Sequence, residues 1–159
     1  MTKQETYEYL TAHGVDYDVI EHPAVFNMEE VEKLQLPHPE ADAKNLFVRD
    51  DKKLHYYMIT VQGNKRVDLK QFRKQHGLRN LSFASADDLM EIMGLIPGAV
   101  TPLGLLNDRE RKVELYLDAA FDELISIHPN DNTASVWMKT KDLISIITEH
   151  GNRVCVVEI

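Results

Sequence analysis

Hydrophobic positions along the chain recur with two different periods, and the switches between them mark the elements. Thr2-Lys3-Gln4-Glu5 is a capping box, and Tyr7, Tyr9 and Leu10 behind it give an apolar helical stripe that stops at Gly14. Tyr17-Asp18-Val19-Ile20-Glu21 predicts a strand ended by His22-Pro23. Asn27-Met28-Glu29-Glu30 then caps a helix that runs to about Leu34, and Leu36-Pro37-His38-Pro39 is a loop, because prolines at that spacing end a helix. Asn45-Leu46-Phe47-Val48-Arg49 and the apolar run from Leu54 to Val61 flank four polar residues, Asp50-Asp51-Lys52-Lys53, and predict an antiparallel hairpin. Asp68 caps a short helix to Gln75, with Gly77 at its end, and Ser85 caps another that turns Leu89, Ile92 and Met93 inward and closes at Gly94.

After a Gly/Pro-rich loop over residues 94–105, Val113, Leu115 and Leu117 alternate as a strand. Residues 124–128 and 135–138 predict two more strands around Pro129-Asn130-Asp131-Asn132, residues 141–149 a helix, and residues 153–159 a terminal strand. Strands and helices mix without a regular βαβ alternation. The fold class predicted is α+β, one domain over residues 1–159, with a mixed, largely antiparallel sheet curved toward a barrel and flanked by helices.

Composition adds charge to this picture. The net charge is −8, yet residues 1–43 carry −8, residues 44–79 carry +7 and residues 80–159 carry −7. A basic island in an acidic chain suggests a localised polyanion contact, with the acidic remainder favouring one docking orientation. A solvated face whose lysines pair with acidic neighbours is the plainer account of the same charges. The basic residues include Lys65, Arg66 and a helical face of Lys70, Arg73 and Lys74 at i, i+3, i+4. The lone Cys155, in Val154-Cys155-Val156-Val157, excludes an internal disulfide and reads as a buried apolar thiol. No apolar run approaches a membrane span and the N-terminus is polar, so the expected setting is cytosolic and reducing, with no membrane partner.

The familiar catalytic signatures are absent: no nucleophile elbow, no phosphate-binding glycine loop and no paired metal-binding histidines. A metal site from the distant His22, His38 and His128 is poorly supported, and neither metal nor other cofactor is expected. Three segments remain. Lys44, just before the apolar strand Asn45-Leu46-Phe47-Val48, can hold a point charge at a pocket mouth for a phosphate or a developing oxyanion, or can be an ordinary strand-edge lysine. Gly94-Leu95-Ile96-Pro97-Gly98-Ala99-Val100-Thr101-Pro102-Leu103-Gly104 specifies one backbone path, either an anion cradle or a compact turn. His128-Pro129, followed by Asn132 and Thr133, can orient a ribose hydroxyl or a water from a sheet rim, or form a capped hairpin.

Together, these segments resemble the YbaK/ProX family of aminoacyl-tRNA editing domains, also found inserted in or attached to prolyl-tRNA synthetases, and within it the stand-alone ProX-like branch. The resemblance runs from the N-terminal helix and Glu21-His22-Pro23 through Lys44-Asn45-Leu46-Phe47, the loop from Gly94 to Leu105 and Asn107-Asp108, to His128-Pro129 with Asn132 and Thr133. It implies that fold type and a hydrolase that removes alanine mischarged onto proline tRNA. Lys44 and His128 would be catalytic, with Asn45, Gly98, Ala99, Val100, Thr101 and Asn132 on the substrate. The loop departs from the family pattern at Ala99, where Ser is usual, and at Leu103, where Phe is usual. On this reading the basic island tracks the acceptor stem of the proline tRNA, and prolyl-tRNA synthetase is a candidate partner. An aminoacyl ester is already activated, so a water nucleophile assisted by the ribose 2′-OH suffices without a Ser/Cys triad. Two other readings stay open: a deacylase for cysteine or serine esters, and a non-catalytic tRNA- or metabolite-binding regulator. The sequence gives no oligomeric state.

Overall fold

The computed structural model describes residues 1–63 and 65–159, the side chain of Met28 apart. In chain order it forms α1 (Lys3–Ala12), β1 (Tyr17–Glu21), α2 (Met28–Lys33), β2 (Ala43–Asp50), β3 (Tyr56–Gln62), α3 (Leu69–His76), β4 (Leu81–Phe83), α4 (Ala86–Met93), β5 (Val113–Asp118), β6 (Leu124–Ile127), β7 (Ala134–Lys139), α5 (Thr140–His150) and β8 (Val154–Val157). Short 3₁₀ turns cover Pro39–Ala41 and Pro102–Asn107. The predicted caps form. Thr2 and Glu5 close a reciprocal capping box, Asn27 Oδ1 accepts from Glu30 N–H, Asp68 from Lys70 and Gln71, and Ser85 from Asp88. Gly77 and Gly94 end their helices in the left-handed conformation that a side chain would oppose.

A five-stranded sheet runs β4-β2-β3-β5-β8, and a three-stranded sheet runs β1-β7-β6. The hairpin β2–β3 pairs antiparallel from Ala43↔Gln62 to Arg49↔Tyr56, whereas β3–β5 and β5–β8 are parallel. The central strand β3 is buried at every residue from Tyr56 to Val61, which is why it reads as an unbroken apolar run rather than an alternation. Strand β4 carried no clear signal: it is three residues long and mostly exposed. Cys155 is half-buried rather than fully buried, because β8 is an edge strand.

Side chains of β2 divide between two cores. Phe47 joins the larger cluster with Leu115, Leu103, Ile125, Val136 and Leu143; Leu46 and Val48 face a smaller one with Ile59, Val61, Phe72 and Tyr116 under α3. Beyond the side chains packed between them, the two sheets are joined among the described residues by one isolated parallel main-chain bridge, Asp42↔Ser126, after which β2 and β6 part. The barrel is thus left open on this side.

The Asn107-Asp108 pair has a structural use. Asp108 is buried and accepts from Val113 N–H (2.8 Å) and Asn152 Nδ2 (2.9 Å), while Asn107 Nδ2 donates to Met93 O. These bonds fix the start of β5 against the chain after α5. Asp108→Ala, which strands two buried donors, is predicted to lower the unfolding free energy by about 2–4 kcal/mol in denaturant titrations, and Asp108→Asn by less.

Candidate active site

The gap between the diverging strands is a cleft of about 440 Å³ lined by Val25, Phe26, Asn27, Val31, Ala43, Lys44, Asn45, Leu46, Gly98, Val100 and His128. The three segments singled out from the sequence therefore meet in one hollow: the start of β2, the Gly98 turn and the end of β6. The loop that leads from β1 into α2 closes the fourth side.

Strand geometry explains why β2 can serve as a wall. Asp50 N–H donates to His55 O on the β3 side, and Phe47 O accepts from Ala84 N–H on the opposite side. Main-chain groups alternate along a strand, so those of Ala43, Asn45 and Phe47 point away from β3. The paired part of β4 starts only at Val48, and β6 has already left, so the Asn45 main chain meets no neighbouring strand among the described residues.

Lys44 extends its ammonium to Lys65 O at 3.4 Å, a weak contact, and has no carboxylate partner among the described residues. Its charge is available to the cleft. Asn45 spends its amide on architecture. Nδ2 donates to Val100 O (3.2 Å) and Oδ1 accepts from the buried Thr60 hydroxyl (2.7 Å), so this side chain ties the Gly98 turn to the hairpin. Thr101 is buried and caps the 3₁₀ turn, its hydroxyl accepting from Leu103 N–H. Ala99 and Leu103 are buried in the core behind the cleft wall, as is the Asn132 side chain, whose Nδ2 donates to Val25 O (2.9 Å). Of the loop residues, only Gly98 and Val100 line the cleft.

His128 follows β6, and Nδ1 lies 2.8 Å from Ala134 O. A carbonyl can only accept, so Nδ1 carries the hydrogen and Nε2 is left as an acceptor when the ring is neutral. Burial holds the ring's pKa below the usual histidine value, against an opposing pull from the Ala134 carbonyl. His22 stands nearby, ring centre 6.2 Å from that of His128, with Nε2 2.9 Å from Ser135 Oγ. His38 instead pairs with Glu40. No group of three or more potential metal-ligating side chains occurs among the described residues.

Sequence reasoning did not single out Phe26, Val31 or Asp42. Asp42 is buried, lines a smaller hollow behind the cleft with Asn45, Ser126, Ser135 and His128, and precedes Lys44 by two residues. Its signal was weak, since one acidic residue before a strand is ordinary.

The basic residues divide. Lys65 is committed to the buried Asp118 carboxylate at 2.7 Å. Burial alone would raise the Asp118 pKa, but hydrogen bonds from Lys65, Ala120 N–H and Gln62 N–H outweigh it and hold that carboxyl below its usual range. Arg66, Lys70 and Lys74 are exposed and Arg73 half-buried, and none of the four has an ion-pair partner among the described residues. The loop before α3 connects this basic face to the cleft through the Lys44–Lys65 contact.

A family model described as the aminoacyl-tRNA editing domain matches residues 22–146, a span that holds every cleft residue. The chain belongs to the aminoacyl-tRNA editing domain family. Editing of an aminoacyl-tRNA is hydrolysis of the ester between amino acid and tRNA, so the family places this chain among the aminoacyl-tRNA hydrolases, with aminoacylated tRNA as substrate. The chain is 35% identical to the prolyl-tRNA editing protein ProX of Acetoanaerobium sticklandii, over 99% of this chain and 97% of that protein. It is 26% identical to the multifunctional Ser/Thr-tRNA deacylase ProXp-y of Escherichia coli K12, over 92% of this chain and 88% of that protein. A solved structure described as a candidate trans-editing enzyme for prolyl tRNA synthetase shares the fold at a TM-score of 0.72 and 20% identity, over 100% of this chain and 98% of that one. In this chain the cleft lies on the open side between the two sheets of that shared fold.

Asp42 gives a test of the buried electrostatics. Burial, helped by Glu40 and Glu32, pushes its carboxyl up from 3.8 to about 6. Between these values the folded protein keeps a proton that the unfolded chain has lost, so stability falls as pH rises through the window and stays reduced above it. Asp42→Asn is predicted to abolish that fall. Thermal melts should show the variant a few degrees more stable than wild type at pH 7 and indistinguishable from it at about pH 3.5.

Proposed function

We propose that this protein acts in trans to hydrolyse alanine mischarged onto proline tRNA, with water as the nucleophile and the ribose 2′-OH assisting. The observation that carries this reading is the convergence of Lys44, the Gly98–Val100 turn and His128 on one cleft. The reaction breaks the bond between the acyl carbon and the ribose oxygen; water supplies OH to the acyl carbon and H to the departing ribose oxygen. A carboxylic ester of a sugar hydroxyl needs alignment and charge stabilisation more than a strong nucleophile.

The site residues support such roles. The Lys44 ammonium, unpaired by any described carboxylate, suits the 3′-terminal phosphate or the oxyanion that develops on the acyl oxygen. His128, kept neutral by burial and held by its Nδ1–H bond to Ala134 O, offers Nε2 to accept from the 2′-OH or the attacking water. Gly98 and Val100 bring main-chain groups to the same wall, and Asn45 anchors that wall. Discrimination is steric: a site shaped for alanine excludes the larger proline ring, and the correct product escapes. The exposed Arg66, Lys70 and Lys74 with Arg73 supply the phosphate-tracking surface, and prolyl-tRNA synthetase is the candidate partner that delivers the mischarged tRNA. A second reading, hydrolysis of serine esters, is favoured by the Ser/Thr specificity in the name of the Escherichia coli relative.

A panel of tRNAs charged with alanine, serine, cysteine and proline tests this. Alanyl-tRNA(Pro) should be hydrolysed well above the uncatalysed rate and prolyl-tRNA(Pro) spared, with Lys44→Ala lowering kcat/KM on the alanyl ester by about 100-fold, the size of one lost oxyanion donor. Preference for the serine or cysteine ester would replace the alanine assignment, and absence of turnover on the whole panel would refute it. For the basic face, Lys70→Glu with Arg73→Glu should raise KM for tRNA at least tenfold at low salt and reduce the salt slope, with kcat little changed. Unchanged salt-dependent binding would remove α3 from the interface.

A further inference from the structure

Phe26 stands out against the rest of the cleft. It is 62% exposed, among the most exposed large apolar side chains of the protein, yet the backbone of Val25 and Phe26 is held by three hydrogen bonds. Val25 N–H donates to Asn132 O (3.3 Å), Asn132 Nδ2 donates back to Val25 O (2.9 Å), and Phe26 N–H donates to Glu30 Oε2 (3.0 Å). The ring is braced against Gly98: a Cβ on Gly98 would fall 2.6 Å from Phe26 Cδ1, and Gly98 has a φ of +92°. The turn that forms the cleft wall therefore carries glycine partly to let this ring approach.

Phe26 precedes the N-cap Asn27, and Val31 is the fourth residue of α2, the two positions of a hydrophobic staple. A staple explains an apolar side chain at 26. It does not explain an aromatic ring left largely in water at the mouth of a cleft. The cleft, at about 440 Å³, is also several times larger than an alanyl group, so the part of the carrier next to the ester must share it. That part is a nucleoside, with a flat aromatic base.

We propose that Phe26 is a stacking platform for the terminal base of the tRNA, braced by Gly98 and held in place by the Asn132 clamp on Val25. The proposal rests on the cleft's being an aminoacyl-ester site, and it assigns Asn132 a positioning role, away from the substrate itself. Stacking on a fixed ring is indifferent to the amino acid, so the platform sets the register of the ester between Lys44 and His128 for any acyl group that fits. Pinning the backbone beforehand removes much of the ordering cost on binding.

The test compares Phe26→Leu, which keeps an apolar staple but has no ring, with Phe26→Trp, which keeps a platform. Two RNAs mimicking the acceptor end carry the alanyl ester, one with the terminal base and one with an abasic terminal ribose. Wild type and Phe26→Trp should favour the base-bearing ester by about tenfold or more in kcat/KM, as one lost stack implies. Phe26→Leu should hydrolyse both at the abasic rate, so that the variant and the base removal are non-additive. Affinities for the same two RNAs uncharged give a second reading independent of turnover: base removal should weaken binding to wild type and leave Phe26→Leu unchanged. Equal kcat/KM of wild type and Phe26→Leu on the base-bearing ester, or additive losses, would overturn the platform while leaving the deacylase reading intact. If wild type hydrolyses neither ester yet binds with a Phe26-dependent base preference, the deacylase reading fails and the platform stands. Melting curves matching wild type would confirm that Phe26→Leu keeps α2 folded.

Discussion

Among the described residues a single parallel bridge, Asp42↔Ser126, joins the main chains of the two sheets, whose inner faces share one core, and the cleft opens where β2 and β6 part beyond that bridge. Were β6 to continue beside β2, the outward main-chain groups of Asn45 would be spent on a ladder and the barrel would close. Instead the strands part at once. His128 leaves on one side, Lys44 on the other, and the Gly98 turn spans the opening through the Asn45–Val100 bond. Opening a sheet edge exposes unpaired polar groups, a hazard in most proteins, and here the loop from β1 into α2 faces that edge across the cleft.

The electrostatics of the cleft follow from the same opening. Lys44 lines the cleft without a carboxylate partner among the described residues. At His128 burial disfavours the imidazolium and the Ala134 carbonyl selects the tautomer. Asp42, which lines the smaller hollow beside His128, has its carboxyl pKa raised, chiefly by burial. The protein's acidic surplus lies elsewhere in the sequence, and Asp118 neutralises Lys65 but leaves α3 unpaired, so the positive surface is narrower than a count of basic residues suggests.

The family loop departs from its usual pattern at Ala99 and Leu103, and both face the core rather than the cleft. The departures therefore alter packing behind the wall. The wall itself is made of residues whose contribution is backbone or bulk: Gly98, Val100, Val25 and Val31.

Local physics was legible in the sequence. Capping side chains, helix-ending glycines and the apolar runs of the hairpin are decided by neighbours within a few residues, and α1, α2, α3, α4 and β1 to β3 follow from them. Lys44, Gly98, Val100 and His128 stood out because unusual residue types bordered regular elements, and the resemblance to a family linked them. Three things depended on distant pairs and could not be read locally. Strand β4 exists because β2 offers an edge, not because three residues prefer to extend. Asn45 and Asn132 make bracing hydrogen bonds to Val100 and Val25, 55 and 107 residues away in the chain. Phe26 became noticeable only when tertiary contacts left it exposed. Sequence settles which segments curl or extend because those choices are local; which groups face one another across a gap is settled by how the two sheets part.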